Sequence, residues 1–257
     1  MTQAPVQRGR RERPVTTFTV TGTSRTSPGL VRVELRADDA EAFAERFGAS
    51  AYTDRYVKLA LPQPDGTEVV RTYTVLEPDP ATATMAIEFV VHGDEGYAGP
   101  WAARAEVGDS LGMRGPGGAY APDVDADWHL LAGDEAGLPA IRAALAALPA
   151  SATARVVLLA PEDHHVDLPT TDDTEVTWVT DDLPGAVRAV EWLPGRAYAF
   201  VHGEADAVMH GVRPYLLKER GLPRADVSVS GYWRRGRTEE GFRDWKAELR
   251  ASEGDDG

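Results

Sequence analysis

Hydrophobic patterning changes its period once along this 257-residue chain, close to Pro122. From about Val15 to Gly118 the apolar residues fall in short β-branched or aromatic runs, at 15–20, 30–35, 56–61, 69–75 and 87–91. Several of these runs alternate, and Gly, Pro and Asp separate them, as expected where side chains point by turns to the two faces of a sheet. Such spacing predicts an antiparallel barrel or sandwich, with short helices over 38–47 and 98–105. Beyond Pro122, strand-like runs at 129–132, 155–160, 176–179, 198–201 and 227–229 alternate with helical stretches at 136–148, 185–192, 205–219 and 239–250. This alternation predicts an open parallel sheet covered on both faces. The expected fold is an N-terminal antiparallel β-barrel over 15–120, followed by a doubly wound parallel-sheet α/β domain over 127–251. A Pro- and Asp-rich connection joins them, and residues 1–14 are expected to form a disordered basic arm.

The chain contains no cysteine, so a disulfide, a thiol nucleophile, a Cys-ligated zinc and an iron–sulfur cluster are all excluded. Any redox chemistry must use a borrowed cofactor. With 27 Lys+Arg against 41 Asp+Glu the formal net charge is −14, which opposes binding to phosphate backbones and anionic membrane surfaces. No apolar run approaches the roughly 18–20 residues of a membrane span. The Arg8–Arg13 segment is followed by Pro14 and a Thr-rich stretch, where an export signal would need an apolar core. The expectation is a cytoplasmic monomer with no nucleic-acid or membrane partner.

Three segments offer chemistry. In Arg71-Thr-Tyr-Thr74 a strand puts Arg71 and Tyr73 on one face and Thr72 and Thr74 on the other. Together they supply a guanidinium for a pyrophosphate, a phenol ring to lie against an isoalloxazine and a hydroxyl for its edge. The same four residues also suit a plain strand with exposed polar side chains. Further on, His92-Gly93 and Gly96-Tyr97-Ala98 lead to Trp101, and a Gly-Pro-Gly-Gly turn follows at 115–118. A glycine-rich turn entering a helix exposes N–H groups that suit a phosphate, or is simply a tight turn. Gly133-Asp134-Glu135 after a strand could place a nicotinamide or cap the next helix. Glu162-Asp163 would repel a 2′-phosphate or form a solvated loop, and His164-His165 is expected to be solvated too.

These pieces, in this order, resemble the siderophore-interacting proteins, flavin-dependent ferric-siderophore reductases built on the ferredoxin-reductase plan. The resemblance rests on Arg71-Thr-Tyr-Thr74, on His92-Gly93, Gly96, Ala98 and Trp101, on Ala132-Gly-Asp-Glu135 with Leu138-Pro-Ala-Ile141, and on Gly231-Tyr-Trp-Arg-Arg-Gly236. It implies FAD held by Arg71, Tyr73, Thr74, His92, Gly93, Gly96, Ala98 and Trp101. It further implies NADH or NADPH as electron donor beside Gly133, Asp134 and Glu135, and reduction of a ferric siderophore with release of Fe²⁺. No catalytic acid or base and no protein-bound metal is needed. The chain departs from the family pattern at Leu76, where a second Arg is frequent, at Tyr97 for Pro, Gly99 for Ser and Ala136 for Thr. Those departures motivate an alternative, a member of the same fold with weakened or lost FAD that binds or tailors a small metabolite.

Arg234, Arg235 and Arg237 form the densest positive charge outside the N-terminal arm, whereas 161–182 carries eight acids and no Lys or Arg. The arginines could pair with neighbouring acids. Alternatively, with Tyr232 and Trp233 they would form the binding patch for the anionic ferric chelate.

Overall fold

A computed structural model of the chain describes residues 15–63, 66–91, 93 and 96–236. The expected basic arm, His92, Arg237 and the helix at 239–250 lie outside the described residues.

The first half builds one antiparallel sheet from β1 (Thr16–Ser27), β2 (Leu30–Ala37), β3 (Tyr56–Pro62), β4 (Glu68–Thr74), β5 (Leu76–Asp79), β6 (Thr84–Val90) and β7 (Ser110–Gly117). Their order is β4-β3-β7-β1-β2-β6-β5. Alternation does the work the sequence promised: Val57, Leu59 and Leu61 of β3, and Phe18 and Val20 of β1, are buried. Each such side chain contributes roughly 1.5–3 kcal/mol when taken out of water. Helix α1 (Ala40–Gly48), capped by Asp39 accepting from the Ala42 N–H at 2.9 Å, adds Phe43 and Phe47 to this core.

The two edges of the sheet, β4 and β5, do not hydrogen-bond to each other, so the expected barrel is not closed by a ladder. The chain itself crosses the seam. Thr74 pairs with Tyr56 on one edge, Leu76 pairs with Ala86 on the other, and only Val75 lies between them. Across the same gap the Tyr73 ring leans on Phe89 of β6, with centroids 4.5 Å apart.

The second half is a five-stranded parallel sheet of β8 (Trp128–Asp134), β9 (Thr153–Leu159), β10 (Asp173–Val179), β11 (Ala197–Glu204) and β12 (Val227–Trp233). Its order is β10-β9-β8-β11-β12. Helices α3 (Leu138–Ala147) and α4 (Leu183–Ala189) and a helical run over 205–219 form the connections. Within that run Ala207–Val212 and Tyr215–Glu219 make wide i→i+5 turns. Strand order reverses between β8 and β11, and the crevice beyond the C-terminal ends of strands at such a switch is where open α/β sheets take ligands.

The connection between the sheets is packed rather than loose. Tyr120 is buried against Tyr198 and Phe200, and Leu30 of the first sheet joins the same cluster. Arg142 of α3 forms an ion pair with the buried Glu88 of β6. Among the described residues no helix is long and apolar enough to cross a membrane.

Candidate functional site

Strand β4 carries Arg71 and Tyr73 half-buried and Thr74 buried. The Arg71 guanidinium donates to the Val70 carbonyl at 3.0 Å and lies 5.3 Å from the centre of the Tyr97 ring. Tyr97 stands at the N-cap of α2 (Ala98–Arg104), and its side chain does not accept from the first N–H groups of that helix. Gly93 and Gly96 ahead of it have φ of +58° and +76°, which glycine adopts without strain, with open space where a Cβ would stand. Ala98 is buried, and Trp101 packs on Phe89 at 5.6 Å, so Phe89 seats both aromatic rings.

Asp134 ends β8 at the switch point and is almost wholly buried. Its Oδ1 accepts from the N–H groups of Ala136 and Gly137 at 2.9 and 3.3 Å. Its Oδ2 accepts from the Glu204 N–H and from Trp233 Nε1, both at 2.7 Å. Burial pushes the carboxyl upward, and these four donors pull it back towards the ionised form. One side chain thereby ties together the ends of β8, β11 and β12. Gly133 and Gly137 are required by the same packing, since a Cβ at either would fall 2.4 or 2.2 Å from the His202 carbonyl oxygen.

Glu135 does not point into solvent. It meets His164 Nδ1 at 2.7 Å, and that imidazole lies where a Cβ on Gly29 of the β1–β2 turn would be, at 2.3 Å. His165 stacks on Trp178 with centroids 4.3 Å apart. Of the pair expected to be solvated, His164 is packed against the first sheet, whereas His165 stays exposed with one face on Trp178.

Tyr232 on β12 completes the link between the halves. Its hydroxyl faces Thr74, and burial holds its pKa far above the ordinary phenol value. Its ring meets His202 edge-on at 4.7 Å. Next to it, Arg234 reaches Asp206 at 3.4 Å, and the Arg235 N–H donates to Glu204 at 3.2 Å while its side chain is exposed. Both arginines thus stand at the C-terminal edge of the parallel sheet. The sequence offered Tyr232 as part of a surface patch and His164 as part of a solvated pair, because only the tertiary fold gives them their partners across the two sheets.

The family model for siderophore-interacting FAD-binding domains matches residues 65–120, and that for siderophore-interacting proteins matches 126–236. The ferric vibriobactin reductase ViuB of Vibrio cholerae is 32% identical, over 84% of this chain and 88% of its own length. The chain belongs to the siderophore-interacting protein family. An uncharacterized protein of Mycobacterium tuberculosis is 43% identical over 94% of this chain and 98% of its own length. The crystal structure of a siderophore utilization protein from T. fusca is 34% identical, covers 88% of this chain and 94% of that one, and superposes with a TM-score of 0.77.

The departures of this siderophore-interacting protein from the family pattern have local causes. Leu76 is only 4% exposed and pairs with Ala86, so position 76 belongs to the core here. A Cβ on Gly99 would lie 2.9 Å from the Val90 carbonyl oxygen, so a Ser there would force the backbone apart. The residues that remain fit FAD. Glycines at 93 and 96 with positive φ, N–H groups at a helix start that the Tyr97 side chain does not cap, and a guanidinium over the Tyr97 ring are the donor set a diphosphate needs.

Proposed function

We propose that this protein is an FAD-containing reductase that takes a hydride from NADH or NADPH and passes single electrons to siderophore-bound Fe³⁺, so that iron leaves the weakened chelate as Fe²⁺. Bound FAD would supply the conversion of a two-electron donor into single electrons, which no side chain of this chain can perform. Arg71 and the Gly93–Gly96 turn would hold the diphosphate, Tyr73 and Trp101 would flank the ring system, and Gly133 and Glu135 would border the nicotinamide. Asp134 acts by fixing the Trp233 indole and the ends of three strands around that crevice. Arg234 and Arg235 would attract the anionic chelate.

The observation that carries the reading is the packing of the first sheet on the switch-point end of the second, where the Glu135-bound His164 sits over Gly29 and Tyr232 of β12 faces Thr74 of β4. It sets the strand that suits a flavin directly against the switch-point crevice that suits a dinucleotide, so a hydride has a short path between two bound ligands. Glu162 and Asp163, exposed on the turn after β9, favour NADH, because a 2′-phosphate beside two carboxylates would be repelled.

The test is the visible spectrum of the purified protein, followed by anaerobic addition of each nucleotide and then a ferric chelate with an Fe²⁺-trapping dye. Yellow protein that bleaches with NADH faster than with NADPH, and then forms the Fe²⁺–dye complex, is the expected result. Colourless protein that does not take up added FAD would overturn the reading.

A further inference from the structure

Large side chains that stay exposed beside a cavity call for an explanation, and Tyr52 and Tyr56 are 44% and 37% exposed. Each lies over a glycine at the end of β7. A Cβ on Gly117 would come within 2.3 Å of Tyr56 Cζ, and one on Gly118 within 2.8 Å of Tyr52 Cβ, so the two bare glycines are what let the rings settle there. Beside Tyr52 opens a cleft of about 430 Å³, walled by Pro116 and by Arg46. Arg46 donates one nitrogen to Thr16 at 2.7 Å, which fixes the guanidinium at the cleft. Tyr56 pairs in register with both Thr74 and Gly117. The aromatic strip therefore runs from the end of β4 at Thr74, beside Tyr56, to Tyr52 at the cleft.

We propose that the cleft between Tyr52, Pro116 and Arg46 receives a flat, anionic aromatic arm, phenolate or catecholate, of the ferric chelate, and so selects aromatic siderophores over aliphatic hydroxamates. Ring against ring rewards a planar arm, and a guanidinium at the edge answers its phenolate charge. A hydroxamate arm offers neither the ring nor the same fit. The inference deepens the reductase reading and rests on it for the iron.

Binding can be measured without redox by using gallium(III) in place of iron. The full chain with added FAD is titrated calorimetrically with gallium 2,3-dihydroxybenzoate, with gallium desferrioxamine B and with AMP. Wild type is expected to prefer the catecholate chelate. Tyr52→Ala should weaken that chelate about tenfold, leaving the hydroxamate chelate, AMP and FAD affinity within about twofold. Gly118→Ala, which keeps the ring but pushes it off its seat, should act in the same direction. Equal loss for both chelates, no loss for either, loss confined to AMP, or no binding of either chelate by the wild type would each overturn the proposal. If the catecholate preference and its loss in Tyr52→Ala hold while NADH and NADPH fail to reduce the ferric chelate, the reductase reading fails and the cleft assignment stands.

Discussion

Both oxygens of Asp134 are committed to N–H donors, and that decides what a substitution must do. Asn in its place has one oxygen and one NH₂, so two of the four donors, either Ala136 and Gly137 or Glu204 and Trp233, would face another donor. Asp134→Asn is expected to destabilise the protein by roughly 1–3 kcal/mol for each buried donor left unpaired, read as a lower urea midpoint; a change in tryptophan emission marks the orientation that turns the NH₂ on the Trp233 indole. His129 shows the opposite relation of charge to burial. It sits at 1% exposure at the start of β8, and burial lowers its pKa from the ordinary 6.5. Below that value the unfolded chain takes up a proton that the folded chain resists, so the stability is complete above it and is lost as pH falls. Urea midpoints measured from pH 7.5 to 5 should fall with a shallower slope in His129→Gln than in wild type; identical slopes would remove His129 as the cause.

At the scale of elements, what the sequence made legible is what short-range periodicity encodes. The alternation at 30–35 and 56–61 and the continuous apolar run at 129–132 lie in strands, the run at 155–160 does so up to Leu159, and the connecting helices follow where expected. Strands β5 and β7 escaped for physical reasons. Leu76–Asp79 is four residues long, too short to show a period, and exists because the chain must cross from one sheet edge to the other through Val75. Residues 115–117 read as a turn because Gly and Pro are poor strand formers, yet Leu111 and Met113 anchor β7 between β1 and β3 and carry the glycines into pairing. The candidate site divides in the same way. Arg71, Tyr73 and Gly93 could be read locally, as could Asp134, since capping and ligand positioning both draw on its place after a strand. The approach of Tyr232 to Thr74, the Glu135–His164 pair and the Tyr52 cleft could not, because each joins residues dozens of positions apart whose spacing carries no period.

For the whole molecule the question is whether two sheets make two cooperative units or one. The contacts that cross between them are chemically unlike: the Tyr120 ring in the second core, the Tyr232 hydroxyl facing Thr74, His164 over Gly29, and the Arg142–Glu88 ion pair. Surface ion pairs contribute little, but the Glu88 side chain is fully inaccessible, so its charge depends on Arg142 for compensation. Removing the guanidinium alone leaves a buried carboxylate unpaired, at a cost of about 3–5 kcal/mol, whereas replacing both partners with apolar side chains of similar volume removes the charge and the need for it together. Unfolding of the wild type in urea should follow one transition whether read by tryptophan emission or by circular dichroism. Arg142→Ala should shift that transition to lower urea by the amount above, and Arg142→Leu with Glu88→Leu should restore most of it. If Arg142→Ala instead left the midpoint where it was, the pair would not bear on the joint between the sheets, and the packing of Tyr120 and Leu30 would have to hold the halves together without it.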